Sequence, residues 1–163
     1  MIELRKVTHD NFDDILKLKL PKEQERFVAP NIFTLAEAYK DLINNDKPPM
    51  VFAINKDDEV IGLCAMEFND IDDDEILYEK FGDTTTYNFF RFMIDEKHQR
   101  KGYGKQALEK IIDFLKTQPQ GKACSITVCY EPDNEVAKKM YFALGFEETE
   151  CEENGEMIAR LAL

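Results

Sequence analysis

The chain has 163 residues, 44% of them hydrophobic, enough for one sizeable core and too few for two ordinary domains. Its 33 acids against 21 bases give a formal charge of -12, which argues against DNA, RNA or anionic membrane surfaces as partners. No stretch approaches the roughly 18 consecutive apolar residues of a membrane span, and the opening Met1 to Lys6 lacks the apolar centre of a signal peptide. The expectation is a single domain, residues 1–163, in the cytoplasm.

In chain order, Ile2 to Val7 reads as a short strand. A helix capped by Asp10 follows, with Phe12, Ile15 and Leu16 as its inner stripe and Pro21 as its end. Thr34 and Glu37 stand three apart before a helical segment from Leu35 to about Asn44, the spacing of a capping box. Pro48-Pro49 breaks the chain. Met50 to Ile54 and Glu59 to Phe68 then read as strands joined by the polar turn Asn55 to Asp58. Tyr87 to Ile94 is a nearly continuous apolar run, suited to a central strand buried on both faces.

Ala107, Leu108, Ile111, Ile112 and Leu115 recur at helical spacing from Gly104 to about Thr117, before Pro119 and Gly121. Ser125 to Cys129 reads as a strand. Pro132-Asp133-Asn134 opens a helix striped by Val136, Ala137, Met140, Tyr141 and Leu144, and Gly145 closes it. Strands near Phe146 to Glu150 and Glu156 to Leu161 flank a turn at Asn154-Gly155. The order is mixed α/β. Cys64, Cys124, Cys129 and Cys151 form neither a CxxC pair nor a cluster at metal-ligand spacing, so they read as reduced, mostly buried thiols, and no metal is expected.

Charge is segregated. From Glu67 to Asp83 there are eight acids, Asp72, Asp73, Asp74 and Glu75 among them, against one base, Lys80. From Lys97 to Lys105 there are four bases and no acid. Either run can be a solvated loop; as a pair they read as sites of opposite sign, the first for a cation and the second for an anion. The basic run contains Gln99-Arg100-Lys101-Gly102-Tyr103-Gly104-Lys105, between an apolar strand and the clearest helix. The first-turn amides of a helix lack internal partners and suit a phosphate, so a phosphorylated ligand is favoured.

Gly102-x-Gly104-x-x-Ala107 also fits a dinucleotide fingerprint, but seven residues separate Ile94 from Gly102 and the next strand brings no acid for a ribose. A Walker loop fails because Gln99 stands where a glycine is required. The motif Gln99-x-x-Gly102-x-Gly104, with Asn134, Tyr141 and Gly145-Phe146 downstream, resembles the GCN5-related N-acetyltransferase (GNAT) family. That resemblance implies a central, mixed, mostly antiparallel twisted sheet of about seven strands, splayed in the middle and flanked by about four helices. Glu25 to Asn31, Leu35 to Tyr39 and Arg91 to Asp95 further resemble the bacterial spermine/spermidine acetyltransferase branch.

The resemblance implies acetyl-CoA as co-substrate. Arg100, Lys101, Gly102, Tyr103, Gly104 and Lys105, after Gln99, would hold its pyrophosphate, and the main chain of Phe92, Met93 and Ile94 its pantetheine arm. Asn134 would touch the cofactor as well as start its helix. Tyr141 matches the tyrosine that protonates the departing thiolate, its bland alternative being a core aromatic. Direct transfer then needs no covalent intermediate on Cys124 or Cys129, for neither has a plausible histidine partner; His98 is expected in the phosphate loop. Phe89 to Phe92 supplies no glutamate to deprotonate the amine, leaving the base unassigned, with water leading to Glu67 or Glu75 as the suggestion. The acceptor expected is a small cationic amine such as spermidine or spermine, held by Glu67, Asp72 and Glu75. The alternatives are an aminoglycoside or protein amine as acceptor, or a non-catalytic acetyl-CoA-binding module. Family members are often dimers, which implies a homodimer.

Overall fold

The structure is a computed structural model describing residues 1–70, 79–82 and 85–163. In order come β1 (Ile2–Lys6), α1 (Phe12–Lys17), α2 (Asn31–Asn44), β2 (Met50–Lys56), β3 (Glu59–Asp70) and β4 (Thr85–Ile94). Then come α3 (Tyr103–Lys116), β5 (Ser125–Tyr130), α4 (Glu135–Phe142), β6 (Glu147–Glu153) and β7 (Glu156–Ala162), with 3-10 turns at Lys22–Phe27 and Glu96–His98. The strands form one seven-stranded sheet in the order β1-β2-β3-β4-β5-β7-β6. Only β4 and β5 run parallel, so the sheet is mixed and mostly antiparallel, as expected.

Alternation along the strands sends side chains to two cores. Ile54, Ile61, Cys64, Met66, Tyr87 and Phe89 pack with Ala107, Leu108, Ile111, Ile112 and Leu115 of α3 and Tyr141 of α4. On the opposite face Ala53, Leu63 and Met93 meet Ile15 of α1, with Leu35 of α2 packed against them. The five-residue stripe read for α3 is buried throughout.

The apolar run of β4 serves both cores because it contains a bulge. Phe89 pairs with Met66 and Arg91 with Ala65, leaving Phe90 as an extra residue that reverses the alternation. Tyr87 and Phe89 therefore face α3 before the bulge, and Phe92 and Ile94 face it afterwards. Pairing with β5 stops at the same place: Phe89 opposite Val128 is the last match, and Arg91 to Ile94 pair with β3 alone. This is the splay in the sheet. Gly62 holds the other side of β4 close, since a Cβ there would lie 2.4 Å from the Met93 carbonyl oxygen.

Local readings of the first helices need correction. Asn11, not Asp10, precedes α1; it accepts from the Thr8 amide (2.8 Å) and donates to the Lys6 carbonyl (3.0 Å). α1 ends before Leu18, and of its expected stripe only Ile15 is buried while Phe12 and Leu16 stay exposed. α2 starts at Asn31 behind Pro30, so Thr34 is buried inside the helix and cannot form a capping box. Proline at the cap presets the backbone and starts the helix a turn early. Glu37, the other half of that box, instead meets Arg91 of β4, Nη2 to Oε2 3.2 Å. Val136 is 71% exposed and is not part of the α4 stripe. Cys64 is buried, but Cys124, Cys129 and Cys151 are only half-buried.

Candidate functional site

The splay between β4 and β5 opens into a cavity of about 660 Å³, floored by Phe89 to Ile94, walled by α3 and α4, and bounded by Leu20 to Val28. Along its floor the Phe90 carbonyl accepts from Arg91 Nη1 (3.0 Å) and the Ile94 carbonyl from Gln99 Nε2 (2.9 Å). Gln99 also forms a reciprocal amide pair with Gln24 (3.1 and 2.9 Å), tying the Lys22–Phe27 turn to the glycine loop. Gln99 is thus an organiser of the loop.

The loop reaches the helix through two left-handed residues, Arg100 (φ 60°) and Gly102 (φ 79°). Gly102 precedes α3 without any side-chain cap, and its carbonyl accepts from the Gln106 amide at 3.3 Å. The main-chain N–H groups from Arg100 to Lys105 have no protein acceptor among the described residues. Unpaired amides at a helix start, with the side chains of Arg100 and Lys105 on the cavity wall, form a polar, positive cradle for an anion. Lys101 and Tyr103 do not line the cavity, and His98 lies outside it, its Nε2 3.2 Å from Glu59. His98 thus sits in the 3-10 turn ahead of the glycine loop.

Deeper in the cavity Asn134 caps α4, its Oδ1 accepting from the Ala137 amide at 3.2 Å, while the residue also lines the wall. Tyr141 lines the cavity with only 7% of its surface exposed, flanked by Tyr130 and Phe146 at ring separations of 6.0 and 5.7 Å. It is at once a core aromatic and a cavity residue. Burial above all, with Cys129 and Glu156 adding, pushes its phenol well above the usual tyrosine range, so it stays protonated at neutral pH. Its hydroxyl has no hydrogen-bond partner among the described residues, whereas the Tyr130 hydroxyl is already committed to Glu148.

Of the acidic residues singled out, Glu67 lies outside this cavity in an adjoining polar recess of about 300 Å³, and accepts from Asn88 Nδ2 at 3.1 Å. Asn69, Thr127 and Glu153 line the recess too, and Cys129 lines both spaces. Asp72, Asp73, Asp74 and Glu75 fall outside the described residues. Among the described residues no group of three or more His, Cys, Asp or Glu could hold a metal, and no helix is long and apolar enough to cross a membrane. The sequence reading missed Glu156, which lines the cavity from the start of β7. Only the preceding Asn154-Gly155 turn hinted at where that strand begins.

The sequence profile of the acetyltransferase (GNAT) family matches residues 12–146. A search of curated protein sequences finds no match. Among solved structures, the PaiA N-acetyltransferase of Thermoplasma acidophilum, in complex with coenzyme A, superposes with a TM-score of 0.66 at 14% identity, covering 100% of this chain and 99% of the other. Arabidopsis thaliana NAA60 in complex with a bisubstrate analogue gives 0.67 at 13%, covering 99% and 98%. The Escherichia coli ribosomal-protein-S18-alanine N-acetyltransferase gives 0.63 at 16%, covering 99% and 93%. At such identities the likeness speaks for the fold, and the profile match over most of the chain speaks for descent. This chain belongs to the GNAT acetyltransferase family, enzymes that take their acetyl group from acetyl-CoA.

Proposed function

We propose that this chain moves the acetyl group of acetyl-CoA directly to a primary amine of a cationic small molecule, with a polyamine such as spermidine or spermine as the leading acceptor. The observation that carries the reading is the joining, in one cavity, of the unpaired amides at Arg100, Gly102, Gly104 and Lys105 with the unpartnered phenol of Tyr141. Those amides and the side chains of Arg100 and Lys105 would bind the diphosphate. The edge of β4 that β5 leaves uncovered at Phe92, Met93 and Ile94 would lie along the pantetheine arm, with Asn134 beside it. Acetyl-CoA supplies the thioester that an amine can attack. Tyr141 holds a proton where the sulfur departs and can deliver it as the carbon–sulfur bond breaks. A Cβ added at Gly104 would stand in ordinary contact with Met140, Ile94 and Phe92 (3.4 to 4.0 Å), so the start of α3 lies close against β4 and α4.

Acceptor preference follows from charge. Among the described residues the recess beside the cavity carries Glu67 and Glu153 and no base, which favours an ammonium over a carboxylate. Asp72 and Glu75 remain part of this proposal as further acceptor-binding carboxylates, on the strength of their charge alone. Protein amines form the second reading, favoured by structural neighbours named for alanine acetylation and for a bisubstrate complex. Thiol release from acetyl-CoA in the presence of spermidine, an aminoglycoside, an alanine-terminated peptide and a lysine peptide separates these. Release with spermidine foremost is expected; release with peptides alone would move the assignment to protein amines. Coenzyme A binding with no release for any amine would leave a non-catalytic module.

A further inference from the structure

The transfer leaves one role unfilled, because a primary amine with a pKa near 10 arrives protonated at neutral pH and must lose that proton before it can attack. Glu67 is engaged by Asn88 in the neighbouring recess, and Glu131 and Asp133 both pair with Arg26 on the cavity rim. Glu23 and Glu135 line the cavity too, but both are solvent-exposed and Glu135 faces Lys139 on its own helix, whereas Glu156 is half-buried. It lines the same cavity as Tyr141 and has neither a hydrogen bond nor an ion pair among the described residues. Its position follows from strand register: Cys129 lies opposite Ile158 and Tyr130 opposite Met157, so Glu156 comes one step on, where β5 turns away from the sheet.

Side-chain alternation fixes the face. Met157 and Ala159 pack with the α3 core, so Glu156 shares the other face with Ile158 and Cys129. Tyr141 approaches from α4 on the α3 side. An acyl carbon lying in the splay would then have the phenol on one side and the carboxylate on the other. We propose that Glu156 takes the proton from the acceptor amine, working from the face of the sheet opposite Tyr141. This rests on the acetyl-transfer reading above.

The step balances as follows. The ammonium gives one proton to the Glu156 carboxylate, and the freed nitrogen lone pair forms the carbon–nitrogen bond. The carbon–sulfur bond breaks with its electron pair on sulfur, which takes the proton of Tyr141. The second nitrogen proton returns to Tyr141 through water, and Glu156 releases its own to solvent, for a net yield of one proton. The surroundings suit a proton acceptor. Burial first and then Glu131 push the Glu156 carboxyl above its ordinary range, Arg91 across the cavity pulls the other way, and Glu153, opposite it in the β6–β7 hairpin, adds to the rise. Tyr141 and Cys129 complete the groups facing it.

The test compares wild type, Glu156→Gln and Glu156→Asp with the same amine panel between about pH 6 and about pH 9.5. Glu156→Gln is expected to lose about 100-fold in kcat near pH 7 and to regain activity with pH as the amine deprotonates by itself, with coenzyme A affinity by calorimetry unchanged. Glu156→Asp should keep a wild-type-shaped profile at reduced rate. A second readout needs no turnover. The folded chain holds the Glu156 proton more tightly than the unfolded chain, so stability falls as pH rises from the ordinary carboxylate range through the raised value. Glutamine escapes that loss, so Glu156→Gln should melt higher than wild type at pH 7, the gap closing in acid. An active wild type beside a variant of equal kcat and parallel pH profile overturns the proposal. So does a variant that melts lower at pH 7 or loses coenzyme A, since either marks a structural residue. A wild type inert toward every amine removes the acetyl-transfer reading itself, and this one with it.

Discussion

Two phenols line the cavity, and hydrogen bonding separates them. Tyr130 donates its hydroxyl hydrogen bond to Glu148, which Lys138 also holds (Nζ to Oε2 3.0 Å), so it is fixed in a structural pair. Tyr141 keeps its hydroxyl unspent, and burial keeps it protonated across the working pH range. Replacing it with phenylalanine preserves the packing against Tyr130 and Phe146 and removes only the proton. Tyr141→Phe should therefore lower kcat by about 100-fold while the dissociation constant for coenzyme A, measured by calorimetry, stays within about twofold. Unchanged turnover, with product release shown not to limit the rate, would remove Tyr141 as the acid.

Among the elements, β4 decides the site. Its bulge at Phe90 lets one apolar run feed both cores, and the same irregularity ends its pairing with β5 and opens the cavity. Gly62 on β3 keeps that strand in place, because any side chain there would meet the Met93 carbonyl. Gly62→Ala is expected to cost about 1 to 3 kcal/mol by overpacking and to weaken coenzyme A binding as the Met93-Ile94 edge shifts. Leu108→Ala, on the buried face of α3 and 1% exposed, should cost about 2 to 5 kcal/mol and leave coenzyme A affinity nearly intact. Chemical denaturation and calorimetry on the two variants check both halves. Equal coenzyme A affinity in Gly62→Ala and wild type would show that β4 does not depend on this contact.

Across the whole molecule, a chain of formal charge -12 carries a basic loop at one end of its cavity, with Glu67 and Glu153 in the recess near the other. Such a field draws a polycation toward the recess over a distance set by salt, with a Debye length of about 10 Å at 0.1 M and about 3 Å at 1 M. The kcat/KM for spermidine should fall about tenfold between low and high salt, and a flat salt profile would count against an acidic acceptor site. Much of this was legible in residue order. The α3 stripe, the glycine turn into a helix and the Asn134 cap are local patterns whose physics acts within a few residues, so sequence alone determined these elements and their mixed α/β order, while the sheet was implied by the family resemblance. Residue order misjudged α2, where a capping pattern at Thr34 and Glu37 lost to Pro30 four residues before Thr34. It also could not find Glu156, because that carboxylate meets Tyr141 only through the pairing of β5 with β7. Periodicity records how each segment divides its faces between water and core. Which faces then share a cavity depends on strand order and register, and those are set by long-range packing.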